Sequence, residues 1–265
     1  MGLRTLVLSA VIVALPGFAQ TPVISDNGVV NSVTLDRTQP VAAGSIVSIF
    51  GTELAGAGAL ADSVPLSTSL AGISVTVNGT PAPIRQVSST LISAQIPWEV
   101  QGSTATIIVT RNGVASAEKS VPMAEFSPGI YAINGLAVAN LALALNADGT
   151  LAQAANAVLG LAAHPAKIGD SVTILATGLG KVDPPPASGA DSKGTVRNVV
   201  TPPQVLLGGI TAPVTSATLS SDFVGAYQVQ ITVPESSPAG NAVPLQLQVG
   251  EVTSPNTTTM AVSLP

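Results

Sequence analysis

Ile73-Ser-Val-Thr-Val77 alternates apolar and polar positions without a break, and Asn78-Gly79 follows it directly. A period of two marks a strand with one face buried, and Asn-Gly is the strongest short hairpin signal because both residues tolerate positive φ. The rhythm continues on either side. Val29 to Val33, Val41 to Leu54, Ala82 to Val87, Leu91 to Ile96, Ala105 to Thr110 and Val114 to Val121 all read as strands, with Pro97 and Arg111-Asn112-Gly113 as breaks. Strands spaced about eight to twelve residues apart, with turn signals between them, predict a β-sandwich rather than βαβ units.

The pattern is written twice. Gly44 to Leu54 and Gly169 to Leu179 share turn, strand and turn, with Val47 and Val172, Ile49 and Ile174, Thr52 and Thr177, Leu54 and Leu179 in register. Val205 to Leu207, the Gly208-Gly209 turn and Ala212-Pro213-Val214 then match Val75 to Val77, Asn78-Gly79 and Ala82-Pro83-Ile84. Tyr227 to Val233 stops at Pro234 as Leu91 to Ile96 stops at Pro97. Leu245 to Val249 turns at Gly250-Glu251 into Val252-Thr253-Ser254, as Ile107 to Val109 turns into Val114-Ala115-Ser116. The expected fold is therefore all-β: two tandem sandwich domains over 20–125 and 165–265, with a connecting segment over 126–164. In that segment Asn146-Ala-Asp-Gly149 predicts a hairpin, although the Ala-rich run from Ala137 to Ala163 would also suit a short helix. Pro81, Pro83, Pro97, Pro122, Pro213, Pro234 and Pro244 are expected to blunt sheet edges by removing ladder donors.

Composition narrows the setting. Residues 1–19 read as a secretory signal: Arg4, the apolar run Leu6 to Leu15, Pro16, and small residues at Gly17 and Ala19. The run is too short for a membrane anchor, so the mature chain is expected to start near Gln20, outside the cytoplasm and without a membrane span. The chain carries 14 acidic and 9 basic residues, and no basic cluster offers a nucleic-acid footprint. Charged residues make up only 9%, against about 25% in average soluble proteins. Cys is absent and His occurs once, which excludes thiol catalysis, Cys-ligated metals, c-type haem and multi-His sites.

Candidate chemistry is sparse. His164 is the only imidazole, so a Ser-His-Asp triad would have to use it, yet no G-x-S-x-G elbow is present. Glu53, Glu99, Glu125, Asp183 and Asp191 are scattered over loops, whereas a glycosidase needs two carboxylates facing a cleft. Asn146 to Gly149 reads as an Asx-type turn rather than a calcium loop, and Asp183 as a turn cap. No catalytic residue, metal site or cofactor is expected. Trp98, Tyr131 and Tyr227 are the residues with which a sandwich could stack on a sugar; packing at the domain junction or in the core is the competing role for such large aromatics.

Pro40 to Gly51, Ala94-Gln-Ile-Pro-Trp-Glu99, Ser127-Pro-Gly-Ile-Tyr131, Ala176-Thr-Gly-Leu-Gly180 and Tyr227-Gln-Val229 together resemble the Solibacter-type acidobacterial paralogous C-terminal domain of secreted proteins. Each half also resembles the IPT/TIG type of immunoglobulin-like module. The resemblance implies an extracellular location and Ig-like modules, and it supplies no catalytic residue. The leading expectation is a secreted, non-catalytic binding or adhesion module for a glycan, an envelope component or a protein partner. The alternatives are a C-terminal sorting or assembly domain for cell-surface retention, and a hydrolase. The tighter Thr177-Gly-Leu-Gly180 ending of the second copy is expected to shape the junction between the modules.

Overall fold

The computed structural model describes residues 20–134, 140–255 and 258–264. The expected leader at 1–19 lies outside them, as does the start of the Ala-rich run. The described residues form strands and turns with no helix.

In the first half, Ile46–Thr52 lies antiparallel between Val23–Asn31 and Leu91–Gln95. Ile84–Val87 and Ala59–Leu60 complete that sheet. The facing sheet is built on Thr104–Arg111, which pairs with Ile73–Val77, Val114–Ala115 and Lys119–Pro122. The alternation read in the sequence is the burial pattern of the fold: Ile73, Val75 and Val77 point inward while Ser74 and Thr76 are half-buried. They meet Ile49, Ile84 and Ile92 of the other sheet in one apolar cluster, each side chain contributing about 1.5–3 kcal/mol by leaving water. Asn78 and Gly79 carry φ of 49° and 79°, the left-handed pair that closes a hairpin in step with the twist of its strands.

The second half repeats this arrangement strand for strand. Ser171–Thr177 lies between Ala144–Asn146 and Tyr227–Thr232, with Val214–Leu219 beyond. Opposite it, Gly240–Val249 pairs with Gln204–Leu207, Thr258–Ser263 and Val252–Thr253. Equivalent strands thus have equivalent neighbours, and Ile49 and Ile174 are both wholly buried at the centres of their sheets.

Residues 126–164 are more than a connection. Gly129–Ile130 and Ala144–Asn146 both pair with Ser171–Thr177. Ala132–Ile133 pairs with Leu141–Ala142, which runs parallel to Thr258–Ser263. The segment supplies the edge that Val23–Asn31 supplies to the first sandwich, so it belongs to the second one. Its hairpin forms as the Asp148-Gly149 signal implied: Leu145 faces Leu151, and Gly149 has φ 82°.

Because Ile174 is fully enclosed between both sheets, Ile174→Ala is expected to destabilise the protein by about 2–5 kcal/mol. Urea denaturation measures this; a change under about 1 kcal/mol would place Ile174 outside the core.

Candidate functional site

The end of the Leu91–Gln95 strand carries the chain from the first sandwich into its contact with the second. Gln95 is buried. Its Nε2 donates to the Gly44 carbonyl at 2.9 Å, and its Oε1 accepts the Gly189 N–H at 2.6 Å. The Gly189 carbonyl in turn accepts the Leu66 N–H at 2.8 Å. A loop of the second half is therefore hydrogen-bonded on both of its faces to the first. Beside it, the Trp98 N–H donates to Ser188 Oγ at 2.9 Å, and Ser188 Oγ donates to Glu99 Oε2 at 2.7 Å.

Close backbone approach makes these contacts possible. A Cβ at Gly189 would sit 2.8 Å from the Leu66 carbonyl, and one at Gly225 would sit 2.8 Å from the Gly44 carbonyl and 3.0 Å from Ile46. Elsewhere at the junction, Asn31 is buried; its Nδ2 donates to the Ser127 carbonyl at 2.9 Å and its Oδ1 accepts the Val33 N–H at 2.9 Å. Ser127 is held from the second half as well, donating its N–H to the Gly178 carbonyl at 2.9 Å. Side chains at Gly178 or Gly180 would run into the Ser127 carbonyl or the Phe126 ring. The Thr177-Gly-Leu-Gly180 ending is thus glycine-rich because residues 126–127 lie against it.

The three aromatic candidates do not form a common face. The Trp98 ring lies flat on Gly44, where a Cβ would come within 2.3–2.4 Å of its atoms, and it packs against the core of the second sandwich. Its Nε1 is buried without an acceptor. Tyr227 is fully buried and its hydroxyl donates to the Gly180 carbonyl; burial drives its phenol pKa up. This ring is a core side chain and offers no stacking surface. Tyr131 is half-buried, its phenol also raised by burial and opposed by the Arg85 charge. Of the three, only Trp98 lines the groove that opens at the junction.

That groove has a volume of about 290 Å³. Trp98, Val100, Gln101, Met123 and Glu125 come from the first half, and Lys181 from the second. Val100 and Met123 present buried apolar surface, while Gln101, Glu125 and Lys181 are exposed.

His164 lies elsewhere, in Ala163–His164, a short strand parallel to Leu151–Ala152. Its Nε2 is 3.1 Å from Asp148 Oδ2 and its Nδ1 is 3.0 Å from the Pro165 carbonyl. The Asn146 Nδ2 lies 3.4 and 3.5 Å from the same two nitrogens, so the ring is held by a carbonyl, a carboxylate and an amide, and none of these partners is a serine hydroxyl. Asp148 is held down to about 2, first by the Thr150 hydroxyl, then by the Thr150 N–H and by His164. These bonds organise the Asn146–Gly149 turn; among the described residues no three His, Asp or Glu side chains are grouped to hold a metal. The scattered carboxylates keep separate company: Glu53 pairs with Arg111 at 2.9 Å, and Glu99 with Ser188.

Residues 29–123 match the IPT/TIG domain model. No curated protein matches the chain. Among solved structures, the chain is similar to SGBP-B of a Bacteroides ovatus mixed-linkage glucan utilization locus, in complex with a mixed-linkage heptasaccharide: 13% identity, 85% of this chain, 44% of that one, TM-score 0.31. It is also similar to SGBP-B of a xyloglucan utilization locus in Bacteroides uniformis, at 13% identity, 89% of this chain, 48% of that one and TM-score 0.24. A tandem from titin aligns at 11% identity over 93% of this chain and 67% of that one, with TM-score 0.22. The chain spans less than half the length of the two Bacteroides proteins. Likeness at this level leaves the function of this chain to its own residues.

The Pro165 carbonyl and the Asp148 carboxylate raise the His164 pKa above 6.5. A folded pKa above the unfolded value means that the pair's contribution to stability is present below about pH 6.5 and is lost as pH rises through the folded pKa. An NMR titration of the imidazole is expected to give a midpoint above 6.5, lowered in Asp148→Asn; a midpoint at or below 6.5 would contradict the ion pair.

Proposed function

We propose that this chain is a secreted, non-catalytic binding or adhesion module that receives a glycan, an envelope component or a protein partner in the groove between its two sandwiches. The observation that carries this reading is the locked junction. Gln95, Asn31 and Trp98 fix the halves against each other through buried contacts, so the groove lined by Trp98, Glu125 and Lys181 is held open in advance. A preformed cleft between domains is where ligands are most often found, and preorganisation spares the cost of ordering it on binding.

Two further points support the reading. The only imidazole is engaged by the Pro165 carbonyl, the Asp148 carboxylate and the Asn146 amide, which supports a structural role for it within its turn. The leader motif at 1–19 and the resemblance to the Solibacter-type domain both favour a place outside the cytoplasm. Fold alone would decide nothing, since unrelated functions share sandwich architectures.

A glycan array, together with pull-downs from envelope fractions and secreted protein, tests the proposal. Wild type is expected to retain a partner that Gln101→Trp loses by about tenfold or more, because an exposed wall residue then fills the groove, with melting unchanged. Retention undiminished in Gln101→Trp, or none from any source, would overturn it.

A further inference from the structure

We propose that the junction groove takes a short, uncharged saccharide, held between the Glu125 carboxylate and the Lys181 ammonium. This rests on the groove being the binding site, and it names the ligand class.

The two charges sit on the walls contributed by different halves. Among the described residues neither joins an ion pair; those formed are Arg111 with Glu53, Lys119 with Asp26, and His164 with Asp148. The wall therefore offers one strong acceptor and one strong donor, with no net charge between them. An anion would meet Glu125 and a cation would meet Lys181. A sugar hydroxyl both donates and accepts, so a neutral polyol can satisfy both groups with charge-assisted hydrogen bonds. Gln101 adds an amide that also works in both directions. The exposed parts of Trp98 and Ala43, with narrow margins of the buried Val100 and Met123 beneath them, give the apolar surface that a sugar's C–H groups require.

Wall structure separates this ligand from a peptide. A peptide that adds to a sheet needs an unpaired strand edge to bond with. Here the walls at 98–102, 124–125 and 180–181 are turns and irregular backbone, with no open ladder among them. Size limits the ligand too: about 290 Å³ lies near the lower end of ligand-binding cavities, roughly 300–1,000 Å³, so only a few sugar units at a time fill it, as a free oligosaccharide or as a chain end or side branch of a polysaccharide.

Affinity electrophoresis of the full chain through laminarin, arabinoxylan and galactomannan as neutral probes, and alginate as an anionic one, tests the assignment, with melting curves as the folding control. At least one neutral polysaccharide should retard the protein, insensitively to salt, and Glu125→Gln and Lys181→Ala should each weaken retardation about tenfold or more without lowering the melting temperature. Equal retardation of wild type and both variants would overturn the assignment to this groove while leaving a binding module in place. Salt-sensitive retardation by alginate alone, lost only in Lys181→Ala, would replace it with an anion site. No retardation by any neutral probe would overturn the saccharide class: a partner lost in Gln101→Trp would then keep the groove, and the absence of any partner would remove both.

Discussion

The Gln95 amide is enclosed where the two sandwiches meet, and the arrangement of the halves depends on it. A buried amide is costly unless both of its ends are bonded. Here one end is met by the Gly44 carbonyl of its own half and the other by the Gly189 N–H of the second half. Parting the halves returns both groups to water, so this bond contributes about 0.5–1.5 kcal/mol to holding them together, whereas losing the amide with the halves still in contact would leave the Gly189 donor buried and unsatisfied at about 1–3 kcal/mol. Gly44 carries the constraint further: it accepts from Gln95, lies beneath the Trp98 ring and leaves no room for a side chain at Gly225. One patch of backbone is therefore pressed from several sides, and the groove beside it inherits that rigidity.

Duplication gave the chain two sandwiches with the same strand neighbours, but the copies are not interchangeable. The second has grown the loops that do the joining. Residues after Gly180 extend into a stretch from which Ser188 and Gly189 reach the first half, and Arg197 steadies that stretch by donating to the Pro184 and Pro185 carbonyls at 2.8 and 3.1 Å. Residues 126–127 fill the glycine-lined hollow at 177–180 and meet Asn31 on the way. An asymmetric junction of this kind brings Lys181 of the second half and Glu125 of the first to the lining of one groove.

Much of the fold was legible because its causes are local. Asn78-Gly79, Asn112-Gly113 and Asp148-Gly149 specify turns through the φ values that they tolerate, and period-two runs such as Ile73–Val77 specify which face is buried. The repeat was legible because Ile49 and Ile174 occupy equivalent core positions. The junction was legible only in part. Trp98 stood out as a candidate for packing, and the glycines at 178 and 180 as a departure between copies. Gln95 and Asn31 did not stand out, since a polar residue at a strand end looks solvent-facing until the partner backbone is known. Tyr227 shows the converse: of the two roles open to it, stacking on a sugar or packing in the core, it takes the core, where the Gly180 carbonyl accepts from its hydroxyl. Residues 126–164 were read as a connection because two-residue strands carry almost no periodicity; their pairing is fixed by the sheets they complete.

The Gln95–Gly189 contact holds the two sandwiches together as one body. Amide hydrogen exchange at Gly189 tests it most directly, because this loop N–H has no partner other than the Gln95 side chain to slow it. Protection comparable to core amides such as Ile174 is expected, lost in Gln95→Leu while the Ile174 amide stays protected. Exchange at Gly189 in the wild-type protein as fast as in an open surface loop would contradict it.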